Sequence, residues 1–156
     1  PGSERYRRGV YVVLKRGAMY PSFTYFDAAA RLACTVKRSR TNTPLQALTL
    51  LNDPVYVEAA GAFVFRVLRE QANAPVEDQL RYAFRLCTAR QPTATEYAAV
   101  AGLFREQLAA SAASPADAAL LMADAPASAA VSPAEFAAWY SVATVVLNLH
   151  ETITKS

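Results

Sequence analysis

The chain has 156 residues, 53% of them hydrophobic and 19% charged, with a formal net charge of +3. That length and composition suit one folded domain with a real core and exclude a disordered tail. No apolar run reaches the ~18 residues needed to cross a membrane, so no membrane span is expected.

The first residues, Pro1-Gly2-Ser3, read as a cloning scar or a cut within a longer chain. Residues 5–16, RYRRGVYVVLKR, read as a short helix with Lys15 and Arg16 at its negative end and Gly17 as its cap. Gly9 weakens that helix. Residues 18–27 are aromatic and contain Pro21, which predicts a packed turn with about one helical turn in it. Asp27 and Arg31 are spaced to pair if DAAAR is helical. Residues 34–42 read as an ordered loop.

Clear punctuation follows. Thr43-Pro44-Leu45-Gln46 is a capping box with proline at the first helical position. Asn52-Asp53-Pro54 ends that helix, and Asp53 caps the next, over 54–71. The polar stripe there is narrow (Glu58, Arg66, Arg69, Glu70), which predicts that most of the helix is covered. Residues 76–87 form a helix with Leu80, Ala83, Phe84 and Cys87 on one face, and Glu77 is spaced to pair with Arg81. Ala89 to Pro92 is a turn. Thr93 to Glu96 is a second capping box, starting a helix to about Ala110 with Tyr97, Val100, Phe104 and Leu108 as its stripe.

Residues 111–131 read as a surface excursion, with Ser114-Pro-Ala-Asp117 starting a short helix. Ser132 to Glu135 is a third capping box. The last helix, 133–149, is apolar nearly all round and reads as central. No strand-type alternation and no hairpin signal occur. The expected fold is all-α, one compact domain over 1–156 with six or seven helices.

Charge is unevenly placed. Residues 1–42 carry nine Lys or Arg against two acids, a surplus of +7, and the remainder carries −4. Two readings follow: the parts attract each other within the fold, or a basic face meets an anionic partner. Two cysteines, Cys34 and Cys87, form no CxxC or CxxCH motif, so zinc-ribbon, thioredoxin-type and c-type haem motifs are absent. They read as two buried thiols, with a single disulfide as the alternative in an exported protein.

The run RTNTPLQALTLLNDPVYVEAA resembles the signature of the PSD1, or DUF1553, family. So do Arg7-Arg8…Tyr11…Lys15-Arg16 followed by Tyr20-Pro21-Ser22-Phe23 and Phe26-Asp27. Arg81 to Cys87 followed by Arg90-Gln91-Pro92-Thr93 fits as well, as does the ending Trp139…Val145 to Leu149…Glu151. The match is to the C-terminal portion of the family's domain. Ala28-Ala29-Ala30 and His150 depart from the common pattern. The resemblance implies an exported multidomain protein typical of Planctomycetes, with cytochrome c-like domains N-terminal to this one. It places haem on neighbouring domains and no cofactor on this chain. It brings no assigned activity and no catalytic residues.

The best candidate site is Lys37, Arg38 and Arg40 beside the helix start at Thr43. Amides and the positive dipole end of a helix favour an anion, and arginine adds forked donors. The competing reading pairs these residues with the chain's own acids, such as Glu58 or Glu70. Tyr6, Tyr11, Tyr20 and Tyr25 with Phe23 and Phe26 read as core of the first segment, or as a platform for sugar or haem. His150 reads as a favourable charge in a last helical turn, with acid–base or haem-ligand chemistry as the alternative. No GxSxG motif exists. Nucleic acid is not an expected partner, because LQALTLL is apolar and cannot read base edges. The expected function is a non-catalytic accessory module that packs against other domains of its polypeptide. The alternative is an enzyme part or binding module for anionic glycan.

Overall fold

The structure is a computed structural model. It describes residues 7, 9–13, 15, 17–29, 34, 36–37, 39–122 and 131–154. Among them are eight α-helices, so the fold is all-α: α1 (Pro21–Tyr25), α2 (Pro44–Asn52), α3 (Pro54–Glu70), α4 (Val76–Thr88), α5 (Ala94–Ala113), α6 (Pro115–Met122), α7 (Pro133–Leu147) and α8 (His150–Ile153). The count exceeds the expected six or seven because two elements, α1 and α8, are single turns of five and four residues. The chain divides into two compact units, Pro1–Tyr56 and Val57–Ser156.

In the first unit the described residues of the helix expected over 5–16, namely 7, 9–13 and 15, are not α-helical. Gly9–Tyr11 is a 3-10 turn, and Lys15 and Ala18 form an isolated bridge. At Gly9 an added Cβ would stand 2.8 Å from the Phe23 ring. The glycine therefore permits close approach of the chain to α1, a role a helix would not need. Arg31 lies outside the described residues; Asp27, at φ 54°, accepts from the loop at Thr41. The expected aromatic core is also corrected. Tyr11, Tyr20 and Tyr25 are exposed. Tyr20 meets Phe23 edge-on at 5.8 Å, and Phe26 tilts against Tyr56 at 6.0 Å. Tyr6 lies outside the described residues.

The second unit is built around α7, which contacts α4, α5, α6 and α8. Seven of its residues are buried, among them Phe136, Trp139, Val142 and Val146. Such a helix has no polar face to offer water, which is why it takes the centre. Phe65 stacks on Phe136 at 5.2 Å, and Phe104 tilts against Trp139 at 5.0 Å. Leu80, Ala83, Phe84 and Cys87 bury together from α4, and Val100 and Phe104 from α5, as the spacing predicts.

Two expectations fail here and a third holds in part. The buried stripe of α3 is narrow, Ala60, Val64 and Val67, because small residues such as Ala59 and Ala62 need no cover. Residues 111–113 complete α5, and the short helix expected from Ser114 forms as α6, which packs on α7 through the buried Ala118. Residues 123–130 lie outside the described ones. Finally α7 ends at Leu147, and the exposed His150 opens α8 rather than closing a long helix. Ala89 caps α4 in the left-handed region, at φ 62°.

Candidate functional site

The signature segment builds a polar clasp in the first unit. The capping box forms as expected: the Gln46 amide donates to Thr43 Oγ1 and the Thr43 amide donates to Gln46 Oε1, each at 3.4 Å. Gln46 is only 1% exposed. Its Nε2 donates to the Tyr25 carbonyl at 2.8 Å and to Thr41 Oγ1 at 3.2 Å. Thr41 in turn donates its amide and its hydroxyl to Asp27 Oδ2, both at 2.7 Å. One buried side chain thus ties α1, the loop and the start of α2 together. A buried amide is tolerated only when its groups are bonded, which explains a glutamine at this position.

The clasp holds α1 beside α2 and leaves a pocket of about 320 Å³ between them. Tyr20, Pro21 and Tyr25 line it from one side, Leu45 and Leu48 from the other. Its polar lining comes from Ser22, Thr49, Asn52 and Asp53. Each α2 polar side chain is oriented by the backbone. Thr49 Oγ1 donates to the Leu45 carbonyl at 2.7 Å, and Asn52 Nδ2 donates to the Leu48 carbonyl at 2.8 Å. Asp53 Oδ1 accepts from the Val55 amide at 3.0 Å, the cap that the sequence predicts for α3. Burial raises the Tyr56 hydroxyl pKa above its usual value, partly offset by a hydrogen bond with Ser22.

The expected anion site sits at the other end of α2. Lys37 and Arg40 are exposed, Thr43 is half-buried, and Arg38 lies outside the described residues. The helix start offers fewer donors than the sequence suggests. Pro44 has no N–H, and the amides of Gln46 and Ala47 are taken by Thr43. Among the described residues, Leu45 is the one in the first turn whose amide remains. Any anion bound there depends on the side chains more than on the helix end. Glu70, one of the two acids named as internal partners beside Glu58, pairs with Arg66 at 3.1 Å on its own helix. It also accepts a hydrogen bond from Tyr82, which with Arg66 holds its carboxyl below the usual range.

A second cluster was not foreseen. Arg90 grips Glu96 with two bonds, Nη1 to Oε2 at 2.9 Å and Nη2 to Oε1 at 2.6 Å. It reaches Glu151 on α8 as well, with Nη2 at 2.9 Å from Oε2, and its guanidinium lies 5.2 Å from the Phe84 ring centre. The Thr93 amide also donates to Glu96 at 2.8 Å. Arg90 and the two Thr93 donors hold the Glu96 carboxyl down at about 2, and the two carboxylates push the Arg90 pKa up. Arg90 reaches from the turn before α5 to carboxylates on α5 and α8, which is the geometry of a fastening between helices. Arg81 does not pair with Glu77. It lies over the Tyr97 ring, 4.1 Å from its centre.

Cys87 is buried as expected, whereas Cys34 is exposed. Among the described residues no helix is long and apolar enough to cross a membrane, and no group of three or more His, Cys, Asp or Glu could hold a metal ion.

No curated protein matches the chain, and no solved structure does. The family profile described as "PSD1: Protein of unknown function (DUF1553)" matches residues 1–104, a span that includes the clasp, the pocket and the Arg90–Glu96 pair. With 104 of 156 residues inside that match, the chain belongs to the PSD1 (DUF1553) family.

Proposed function

We propose that this chain is a non-catalytic accessory module of an exported, multidomain, cytochrome c-associated polypeptide, and that it packs against other domains of that polypeptide. The observation that carries the reading is a row of leucines on α2. Leu45, Leu48 and Leu51 are 52%, 57% and 48% exposed. Large apolar side chains scattered singly are normal at a surface, but three on one nine-residue helix form a patch suited to a partner. The polar residues of the same segment are already engaged: Gln46, Thr41 and Asp27 in the clasp, and Asp53 in the cap. That division favours a segment built to hold a shape over one built to react. Haem belongs to the neighbouring domains in this reading, and the chain itself carries no cofactor.

Hydroxyl-radical footprinting of Leu45, Leu48 and Leu51 tests the proposal. Their oxidation should be much slower in the longer polypeptide than in this 156-residue chain. Equal rates in both would sink it. The absorption spectra of the two proteins check the haem assignment, since only the longer one should show a haem band.

The alternative reading, a binding surface for anionic glycan at Lys37, Arg38, Arg40 and Thr43, is favoured by the exposure of Lys37 and Arg40. Arg40→Ala should then weaken binding of a sulfated oligosaccharide at low salt. Undiminished binding, or none in the parent chain, rejects that reading.

A further inference from the structure

The pocket between α1 and α2 shares Leu45 and Leu48 with the leucine row, but neither reading above uses its polar and aromatic lining. We propose that it is a binding subsite for one ring of a neutral pyranose sugar. Its volume of about 320 Å³ lies at the lower end of the range for small-ligand sites, roughly 300–1,000 Å³. That size suits one ring rather than a long hydrocarbon.

Six of the nine described lining residues carry a hydroxyl, amide or carboxylate, which argues against a purely apolar occupant. Tyr20 and Tyr25 supply aromatic faces at the surface, against which the C–H face of a sugar ring can lie. The helix bonds of Asn52 and Asp53 use Nδ2 and Oδ1, which leaves Asn52 Oδ1 and Asp53 Oδ2 as acceptors. Adjacent acceptors of this kind match the hydroxyl donors on a sugar edge.

Charge selects the neutral class. Among the described residues no Lys or Arg lines the pocket, and the Asp53 carboxylate repels an anion. A cation would suit two tyrosines and a carboxylate. The first unit opposes it, with nine Lys and Arg against Glu4, Asp27 and Asp53. A ligand with hydrogen-bond donors, a flat apolar face and no charge remains.

Titration of the 156-residue chain with cellohexaose, mannohexaose and xylohexaose tests this, alongside a glucuronic acid oligomer and choline. At least one neutral oligosaccharide should bind saturably and with little dependence on salt. Tyr25→Ala should weaken that binding by about tenfold or more, while Tyr25→Phe, which keeps the ring, retains it. Asn52→Ala, on an exposed residue, gives an independent loss if Tyr25→Ala proves unfolded by circular dichroism. Leu51 does not line the pocket, so Leu51→Lys should leave sugar binding intact whether or not domain docking is real. The proposal is overturned if no neutral oligosaccharide binds. It is equally overturned if choline or the acidic oligomer binds better, or if neither a folded Tyr25→Ala nor Asn52→Ala changes the affinity.

Discussion

The two units use their apolar residues in opposite ways. In Val57–Ser156 they converge on α7, and Phe136, Trp139, Val142 and Val146 are all at most 2% exposed. In Pro1–Tyr56 Leu45, Leu48 and Leu51 of α2 and the tyrosines around α1 lie at the surface, and the most buried of the described side chains is the polar Gln46. One unit is held by an interior, the other by a hydrogen-bonded clasp. A clasp shapes a surface without consuming the apolar groups on it, so the unit with less core has more to offer a ligand or a partner.

The comparison breaks first at Trp139, where the largest effect is expected. Trp139→Ala removes the centre of the second unit and should cost about 3–5 kcal/mol, read by chemical denaturation. A loss of under about 1 kcal/mol would mean that the interior around α7 is not what holds this unit. The Trp139 indole N–H is itself buried without a hydrogen-bond partner among the described atoms, so its contribution is packing alone.

Gln46→Ala is the corresponding cut in the first unit. It leaves the Tyr25 carbonyl and the Thr41 hydroxyl without their donor and opens the capping box. The expected cost is about 1–3 kcal/mol, with hydrogen-exchange protection lost over residues 20–53 in particular. An unchanged exchange pattern there would show that the clasp does not hold α1 to α2.

How much of this was legible in the sequence follows from the range of each interaction. Thr43 with Gln46, Thr93 with Glu96, and Asp53 with Val55 are contacts within three residues, so capping chemistry placed the starts of α2, α3 and α5 correctly. The seam of α4 was equally readable, since Leu80, Ala83, Phe84 and Cys87 recur at helical spacing. The pocket was not readable, because it depends on Gln46 reaching back 21 residues to Tyr25. Arg90 was missed for the same reason, its second carboxylate lying 61 residues away. The aromatic cluster misled because tyrosine serves a core and a binding surface with the same side chain.

The Arg90–Glu96 pair gives a smaller effect, set by pH. Glu96 titrates at about 2, below its ordinary value of 4.5, chiefly through the Arg90 bonds and then the Thr93 amide. Its contribution to stability is therefore present above pH 4.5 and is lost as pH falls toward about 2. Glu96→Gln keeps a capping-box residue at that position and removes the titration. The acid limb of a stability–pH profile should be shallower for this variant over that window. Identical profiles would mean that solvent screens the pair completely.

The smallest effect belongs to α2. Leu51 is 48% exposed in its last turn, so Leu51→Lys gives up little buried area. Lysine is a good helix former and suits the negative end of the helix. The stability of this chain should change by no more than about 0.5 kcal/mol. Partner packing should change far more if the leucine row is a docking face, because a buried, unpaired ammonium is costly. The two measurements together separate the roles. A neutral effect on folding with a large loss of packing in the longer polypeptide marks Leu51 as an interface residue. A clear loss of stability in the chain alone would instead show that α2 belongs to an interior, and the contrast between the two units would close.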